Sequence, residues 1–190
     1  MAPHRAITPT QFEAERRAIE ADLTPILQTL SPAQFNWQPD AGRAWSVGQC
    51  VDHLARTNRQ YCAALREAVA RARPRTERTD GVPNLLGRWF IARLEPPVRL
   101  RVPAPRSLQP AATLDPIAVR REFDASLDEI RDVLALAWSV DLSHARFRNP
   151  LAGGLPVFNI ATGFLVMLAH MRRHAVQVRA VMARSNFPSA

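Results

Sequence analysis

Four stretches of this sequence place apolar residues at steps of three and four, which is the spacing of an amphipathic helix. This pattern limits the possible folds more than any other feature of the sequence. The first begins after Thr8-Pro9, and the others cover about 47–72, 116–138 and 157–184. Thr8, Ser46 and Asp115 are typical helix N-caps, and proline follows two of them at the first helical position. Because no convincing strand accompanies these helices, we predict an all-α fold, an antiparallel four-helix bundle. An α-solenoid would need an internal repeat, and the sequence has none.

A long connection rich in proline and arginine separates the second predicted helix from the third. Residues 73–115 contain seven of the 16 prolines, and within them only 84–94 has the pattern of a short amphipathic helix. Residues 71–106 contain nine arginines and three acidic residues, so most of the net charge of +8 lies in this connection. A nucleic-acid site would concentrate positive charge on one face of a helix or sheet, so we predict no nucleic-acid partner.

Length and composition predict one domain, over residues 1–190, in the cytoplasm. A chain of 190 residues with 47% hydrophobic residues can bury a core of its own. The longest hydrophobic runs, such as 164–169, are far shorter than the ~20 residues that cross a membrane. The first residues lack the apolar region of a secretory signal, and two cysteines suit a reducing compartment. We therefore expect no membrane association.

Three histidines lie at positions that the helical pattern turns toward the core. His170 and His174 are four residues apart in LVMLAHMRRHAVQV, so their rings project from one face, one turn apart. His53 precedes the core position Leu54 in QCVDHLART. Such imidazoles are either ligands of a divalent ion or buried side chains that hydrogen-bond within the core. Spacing alone leaves both interpretations open.

Three longer segments carry a resemblance to a known family. NWQPDAGRAWSVGQCVDHLART (36–57), VRREFDASLDEI (119–130) and LAHMRRHAVQV (168–178) resemble the DinB-like superfamily, in its branch of putative metal-dependent hydrolases. That family is unrelated to the DNA polymerase of similar name. The resemblance implies a four-helix bundle in which His53, His170 and His174 bind a divalent metal, most often zinc or nickel.

The resemblance also implies two reaction types on a small-molecule substrate. Related branches are thiol-dependent transferases that use mycothiol, bacillithiol or glutathione, and a three-histidine metal site with an open position also suits a hydrolase. The nearest acids, Asp52 beside His53 and Asp141 in a loop, are not placed to act as a general base. This absence favours thiol transfer, because a bound thiolate needs less help from a base. No catalytic residue beyond the metal ligands is identified.

Two further residues have a predicted part in the site. Cys50, three residues before His53, is within reach of the metal as a fourth ligand, although a free cysteine is more often a small buried apolar residue. Gln177, three residues after His174, is placed either to orient a ligand histidine or to make a hydrogen bond between helices. Of the neighbouring Arg172 and Arg173, one would lie near an anionic substrate if the pair is not simply solvated.

The connection supports an alternative of a different class, a non-enzymatic stress-response or partner-binding module with a structural or vestigial metal site. In that case Trp89, Phe90 and Ile91 would dock on a partner or on a second subunit, which predicts a homodimer. The competing expectation is that this segment packs across its own bundle.

Overall fold

Four long helices form most of the described chain. The protein is represented by a computed structural model that describes residues 6–75, 81–97 and 104–189. The long helices are α1 (Pro9–Thr29), α3 (Val47–Arg71), α5 (Pro116–Ala137) and α6 (Ile160–Met182). Two shorter helices, α2 (Pro32–Asn36) and α4 (Leu85–Leu94), lie in the connections. A mostly helical fold is therefore confirmed.

The predicted caps set the helix starts. The side chains of Thr8, Ser46 and Asp115 accept hydrogen bonds from backbone N–H groups in the first turns of α1, α3 and α5. At α3 the cap is reciprocal, because the Gln49 side chain accepts from the backbone N–H of Ser46. These two hydrogen bonds fix the first turn of α3, the helix that carries His53.

The described chain departs from the sequence prediction in three places. The loop after α1 contains α2, which Ser31 caps. Two short antiparallel strands, β1 (Arg146–Phe147) and β2 (Phe158–Asn159), occur where no strand was predicted. The last helix consequently begins at Ile160 rather than 157, because Phe158 and Asn159 belong to β2 and the Asn159 side chain caps α6.

The core lies between α3, α5 and α6, with α1 packed against α5 and α6. Its largest fully buried side chains are aromatic: Phe12, Phe35, Tyr61, Phe123, Phe147 and Phe164. Phe35 belongs to α2, so this short helix packs on the body of the protein. In this arrangement α3 and α6 run side by side, which brings their histidines within contact distance.

No helix among the described residues is both long enough and apolar enough to span a lipid bilayer.

Candidate metal centre

Three buried histidines converge between α3 and α6. The Nε2 atom of His170 lies 3.3 Å from that of His53 and 3.1 Å from that of His174. One ring nitrogen of each residue lies within 4.8 Å of the other two. The structure thus brings together residues that are 117 positions apart in the sequence.

A backbone carbonyl orients the first of these rings. His53 donates from Nδ1–H to the carbonyl oxygen of Leu108 over 3.0 Å. Leu108 ends a short 3₁₀ turn (Arg106–Leu108) in the long connection. Since a neutral imidazole carries only one N–H, this bond leaves the lone pair of Nε2 directed at the other two histidines.

Burial keeps all three imidazoles neutral. It lowers the pKa of His53, although the hydrogen bond to Leu108 acts in the opposite direction. Burial lowers the pKa of His170 to about 3, and the nearby His53 and Arg173 add to that effect. Burial lowers the pKa of His174 well below its ordinary value, with His170 adding to the effect. A neutral imidazole is the form that binds a metal ion.

The separations of the His170 Nε2 atom from the Nε2 atoms of His53 and His174 fit the coordination shell of one divalent ion. Two imidazole nitrogens bound to zinc at ~2.0–2.1 Å in a tetrahedron are about 3.3 Å apart, and an octahedral arrangement brings them to about 3.0 Å. The observed 3.1 and 3.3 Å lie within this range. The donor set therefore suits Zn²⁺ or Ni²⁺ without selecting between them.

An aromatic ring and a large cavity adjoin the cluster. The ring centroid of Trp45 lies 4.9 Å from that of His53 and 6.1 Å from that of His174, nearly parallel to the latter. Together with the three histidines, Trp45 lines a cavity of about 1030 Å³. A cavity of this size accepts a small organic molecule beside the imidazoles.

Comparison with known proteins identifies the family. The profile described as the DinB superfamily matches residues 15–178, which include all three histidines. The chain belongs to the DinB superfamily.

The curated proteins that resemble this DinB superfamily protein match only part of its sequence. It is 26% identical over 122 residues to coenzyme PQQ synthesis protein B of Stutzerimonas stutzeri, and 25% identical over 122 residues to the protein of that name from Ectopseudomonas mendocina (strain ymp). Each match covers 60% of this chain and 39% of the relative, so the chain spans about two-fifths of the length of these relatives. No solved structure matches it significantly.

The two further residues predicted for this DinB site occupy different places. Cys50 is fully buried and is absent from the group of converging ligand atoms, and burial raises the pKa of its thiol well above the ordinary range. This is the environment of a small core residue. Gln177 lines the cavity and acts to raise the pKa of His174, against the larger effect of burial. Its assignment as an orienting group stays a prediction.

The acids near the site are engaged elsewhere. Asp52 forms an ion pair with Arg56 at 2.8 Å. Asp141 lies 2.8 Å from the exposed ring of His144. Among the described residues that line the cavity, Asp40 is the one acid, and it pairs with an arginine. No carboxylate of the described chain joins the three imidazoles.

The three residues predicted to dock on a partner, Trp89, Phe90 and Ile91, differ in their exposure. Ile91 is buried in the core of its own chain, and the Phe90 ring contacts that of Phe158 at a centroid distance of 5.4 Å. Trp89 is half exposed, and the guanidinium of Arg93 lies 4.8 Å from its ring centroid. Of the three predicted anchors, only Trp89 presents a large exposed surface.

Sequence reasoning missed two features of the site. The carbonyl of Leu108 is a backbone group in an irregular segment, and no residue type signals it. Thr57 lies one turn after His53, is 3% exposed and lines the same cavity. The i, i+4 spacing from His53 was the signal that would have found it.

Proposed function

We propose that this protein holds one divalent metal ion on the Nε2 atoms of His53, His170 and His174. The single observation that carries the proposal is the convergence of these three atoms at separations of 3.1 and 3.3 Å. We also infer that the four long helices form the antiparallel four-helix bundle of the family, since α3 contacts α5 and α6, and α1 contacts both of the latter. The site would then lie inside the bundle, between two of its helices.

A bound divalent ion acts as a Lewis acid and lowers the pKa of a thiol or a water molecule that reaches it. The chain contributes three neutral imidazoles, one of which Leu108 fixes in orientation. Trp45 shields the His53 and His174 rings on one side, and the cavity admits a small substrate on another. The reaction would therefore take place on a small molecule in a partly dry pocket.

The surroundings favour transfer of a low-molecular-weight thiol over hydrolysis. A hydrolase gains from a carboxylate that removes a proton from water, and the described lining of the cavity offers only Asp40, which is paired with Arg184 at 3.2 Å. A thiol has a lower pKa than water and needs less assistance from a base. We propose a thiol-dependent transferase of the mycothiol, bacillithiol or glutathione type, with hydrolysis of a small molecule as the second candidate.

The metal content of the purified, untagged protein tests the site. We expect about one zinc or nickel per chain by mass spectrometry, lost in the double variant His170→Ala/His174→Ala. His144→Ala is the matched control, because that ring is exposed and lies outside the cluster. A wild-type protein that takes up neither Zn²⁺ nor Ni²⁺ would contradict the proposal and leave the three histidines as core residues.

The reaction type is tested separately on the metal-loaded protein. We expect glutathione, mycothiol or bacillithiol to be consumed with an aryl halide electrophile, and this activity to disappear in the double variant. A nitrophenyl ester serves as the hydrolysis probe. Ester cleavage without any thiol-dependent reaction would reverse the order of the two candidates.

A further inference from the structure

The outward face of α4 is apolar, as is the face that packs on the protein. Leu85, Leu86 and Trp89 are 82%, 49% and 52% exposed and lie within about 100° of the helix circumference. Ile91 and Leu94, on the other side of the helix, are buried in the core. A helix that is apolar all round is normally buried, and the described chain covers only one side of α4.

The loop between β1 and β2 extends this exposed face. Leu155 in that loop is 61% exposed. Asn84, which caps α4, donates from Nδ2 to the carbonyl oxygen of Val157 over 2.8 Å. Asn159 donates from Nδ2 to the carbonyl oxygen of Val82, also over 2.8 Å. These bonds hold the start of α4 against the loop that carries Leu155. We define the α4 surface by its exposed apolar residues Val82, Leu85, Leu86, Trp89 and Leu155.

Four arginines border the α4 surface: Arg88, Arg93, Arg146 and Arg148. The guanidinium of Arg93 lies 4.8 Å from the ring centroid of Trp89. Arg146 donates from Nη1 to the carbonyl oxygen of Pro156, the residue after Leu155, over 3.2 Å. Arg148 is exposed like Arg146, because residues two apart along a strand project from the same face.

No carboxylate of the surrounding segments balances these positive charges. Residues 81–97 and 145–157 contain the four arginines and a single acid, Glu95. Glu95 forms an ion pair with Arg172 of α6. None of the four arginines forms an ion pair with a carboxylate of the described residues. The α4 surface therefore combines exposed apolar side chains with a net positive charge.

An anionic lipid bilayer complements both properties. Leucine and tryptophan side chains enter the interface between headgroups and acyl chains, and arginines bind the lipid phosphates. A second copy of the chain covers the apolar residues, but a symmetric contact presents the same arginines and brings them no carboxylate. A nucleic acid pairs with the arginines and leaves the apolar side chains in water.

We propose that the α4 surface binds an anionic phospholipid bilayer, with Leu85 and Trp89 inserted at its interface and the four arginines at the level of the phosphates. Such binding requires no helix that crosses the bilayer. The inference therefore replaces the expectation of no membrane association, which rested on the lack of a long apolar run. It is independent of the metal site. When lipid is absent, a second copy is the cover that remains, which is the predicted homodimer.

Cosedimentation of the full chain with vesicles tests the proposal. We expect at least about tenfold tighter binding to vesicles of equimolar phosphatidylcholine and phosphatidylglycerol than to phosphatidylcholine alone, and weaker binding as salt is added. The double variant Leu85→Gln/Trp89→Gln should lose about tenfold or more of this affinity. Ile117→Gln/Leu136→Gln is the matched control and should bind like wild type, because it changes two apolar residues of α5 that are 72% and 54% exposed.

A second pair of variants tests the charges. Arg93→Gln/Arg148→Gln should weaken binding to the anionic vesicles by about tenfold and leave binding to neutral vesicles unchanged. Arg17→Gln/Arg121→Gln removes the same charge from exposed positions on α1 and α5, and should change the affinity by less than about twofold. None of the altered residues lines the cavity, so the metal content of every variant should match that of wild type.

Trp89→Phe separates insertion from a folding defect, since it keeps an apolar ring. We expect it to bind within about threefold of wild type. The tryptophan emission of wild-type protein should shift to shorter wavelength on the vesicles, and this shift should disappear in Trp89→Phe. The proposal is overturned if wild-type protein does not bind the anionic vesicles, if it binds neutral vesicles equally well, or if either control pair acts like its counterpart. A protein that stays dimeric and unbound beside anionic vesicles assigns the α4 surface to a second copy, and one that binds a DNA duplex instead assigns it to a nucleic acid. Both outcomes also overturn the proposal.

Discussion

At the scale of single residues, the carbonyl of Leu108 decides which nitrogen of His53 faces the cluster. Without that acceptor, the ring could place its proton on either nitrogen, and Nε2 would serve as donor or acceptor with similar ease. The 3.0 Å bond from Nδ1 removes this freedom. His53 is therefore prepared as a lone-pair donor before any ligand arrives, which is the usual role of an outer hydrogen bond on a metal-binding histidine.

The neutral state of the cluster predicts how the stability of the metal-free protein depends on pH. Burial lowers the pKa of His170 to about 3, whereas in the unfolded chain it returns to about 6.5. As pH falls below 6.5, the unfolded state binds protons that the folded state does not, so the free energy of unfolding decreases. The contribution of His170 to this slope is about 0.7 kcal/mol per pH unit at pH 6.5 and approaches about 1.4 kcal/mol per pH unit near pH 5.

Denaturant unfolding of the chelated protein between pH 7 and pH 5 measures this slope. Most carboxylates titrate below this pH range, so histidines account for most of the pH dependence of the free energy of unfolding within it. His170→Leu should flatten the profile, while His144→Ala serves as the control with an exposed ring. A wild-type stability that does not change across the window would contradict the neutral, buried cluster.

At the scale of elements, the contact between α2 and α3 depends on a glycine. A Cβ atom at Gly48 would lie 2.3 Å from the ring of Phe35 and 3.0 Å from its carbonyl oxygen. Gly48 is in the first turn of α3, two residues after the cap at Ser46. The close approach of α2 thus covers the start of the helix that carries His53.

We expect Gly48→Ala to lower the free energy of unfolding by roughly 1–3 kcal/mol, because the added methyl group forces the Phe35 ring to move. Chemical denaturation measures the change. The same substitution is then made in a protein that already carries Phe35→Leu. There the added methyl group meets a smaller side chain, so Gly48→Ala should lower the free energy of unfolding by less. Equal costs of Gly48→Ala in both backgrounds would show that the ring is not the obstacle.

Local patterns predict the elements better than they predict their contacts. The caps and apolar stripes of α1, α3 and α5 are local signals, and these helices begin where the sequence predicts. The strand pair of Phe147 and Phe158 escapes prediction because two residues per strand carry no periodicity. The pairing of His170 with His174 follows from i, i+4 spacing, whereas their contact with His53 depends on how α3 packs against α6. The prediction that His53 lies beside His170 and His174 came from the family resemblance and not from residue spacing.

At the scale of the whole molecule, α4 leaves an apolar surface beside the long helices. Leu85, Leu86 and Trp89 are exposed on it, at 82%, 49% and 52% respectively. Exposed apolar patches of this kind are typical of contact surfaces between proteins. Phe90 and Ile91 pack against their own chain. Of the three residues predicted to contact a second subunit, Trp89 is therefore the one that we test.

We expect light scattering after size exclusion to give a dimer for the wild-type protein and a larger monomer fraction for Trp89→Ala, since the variant removes the largest exposed ring of this surface. Metal content should stay unchanged, because Trp89 is not among the residues that line the cavity. Ile117→Ala is a control, a similarly exposed apolar residue on α5. A wild-type monomer at all concentrations would show that the dimer prediction is wrong.

The distance in sequence between His53 and the α6 pair has a consequence for how the protein is made. Two of the three imidazoles belong to the helix that the ribosome synthesises last among the described elements, 117 residues after the first. The growing chain therefore exposes His53 long before its partners exist. The complete set of nitrogens forms only when α6 docks on α3, so an ion bound as we propose would be taken up at the end of folding and would not guide its beginning.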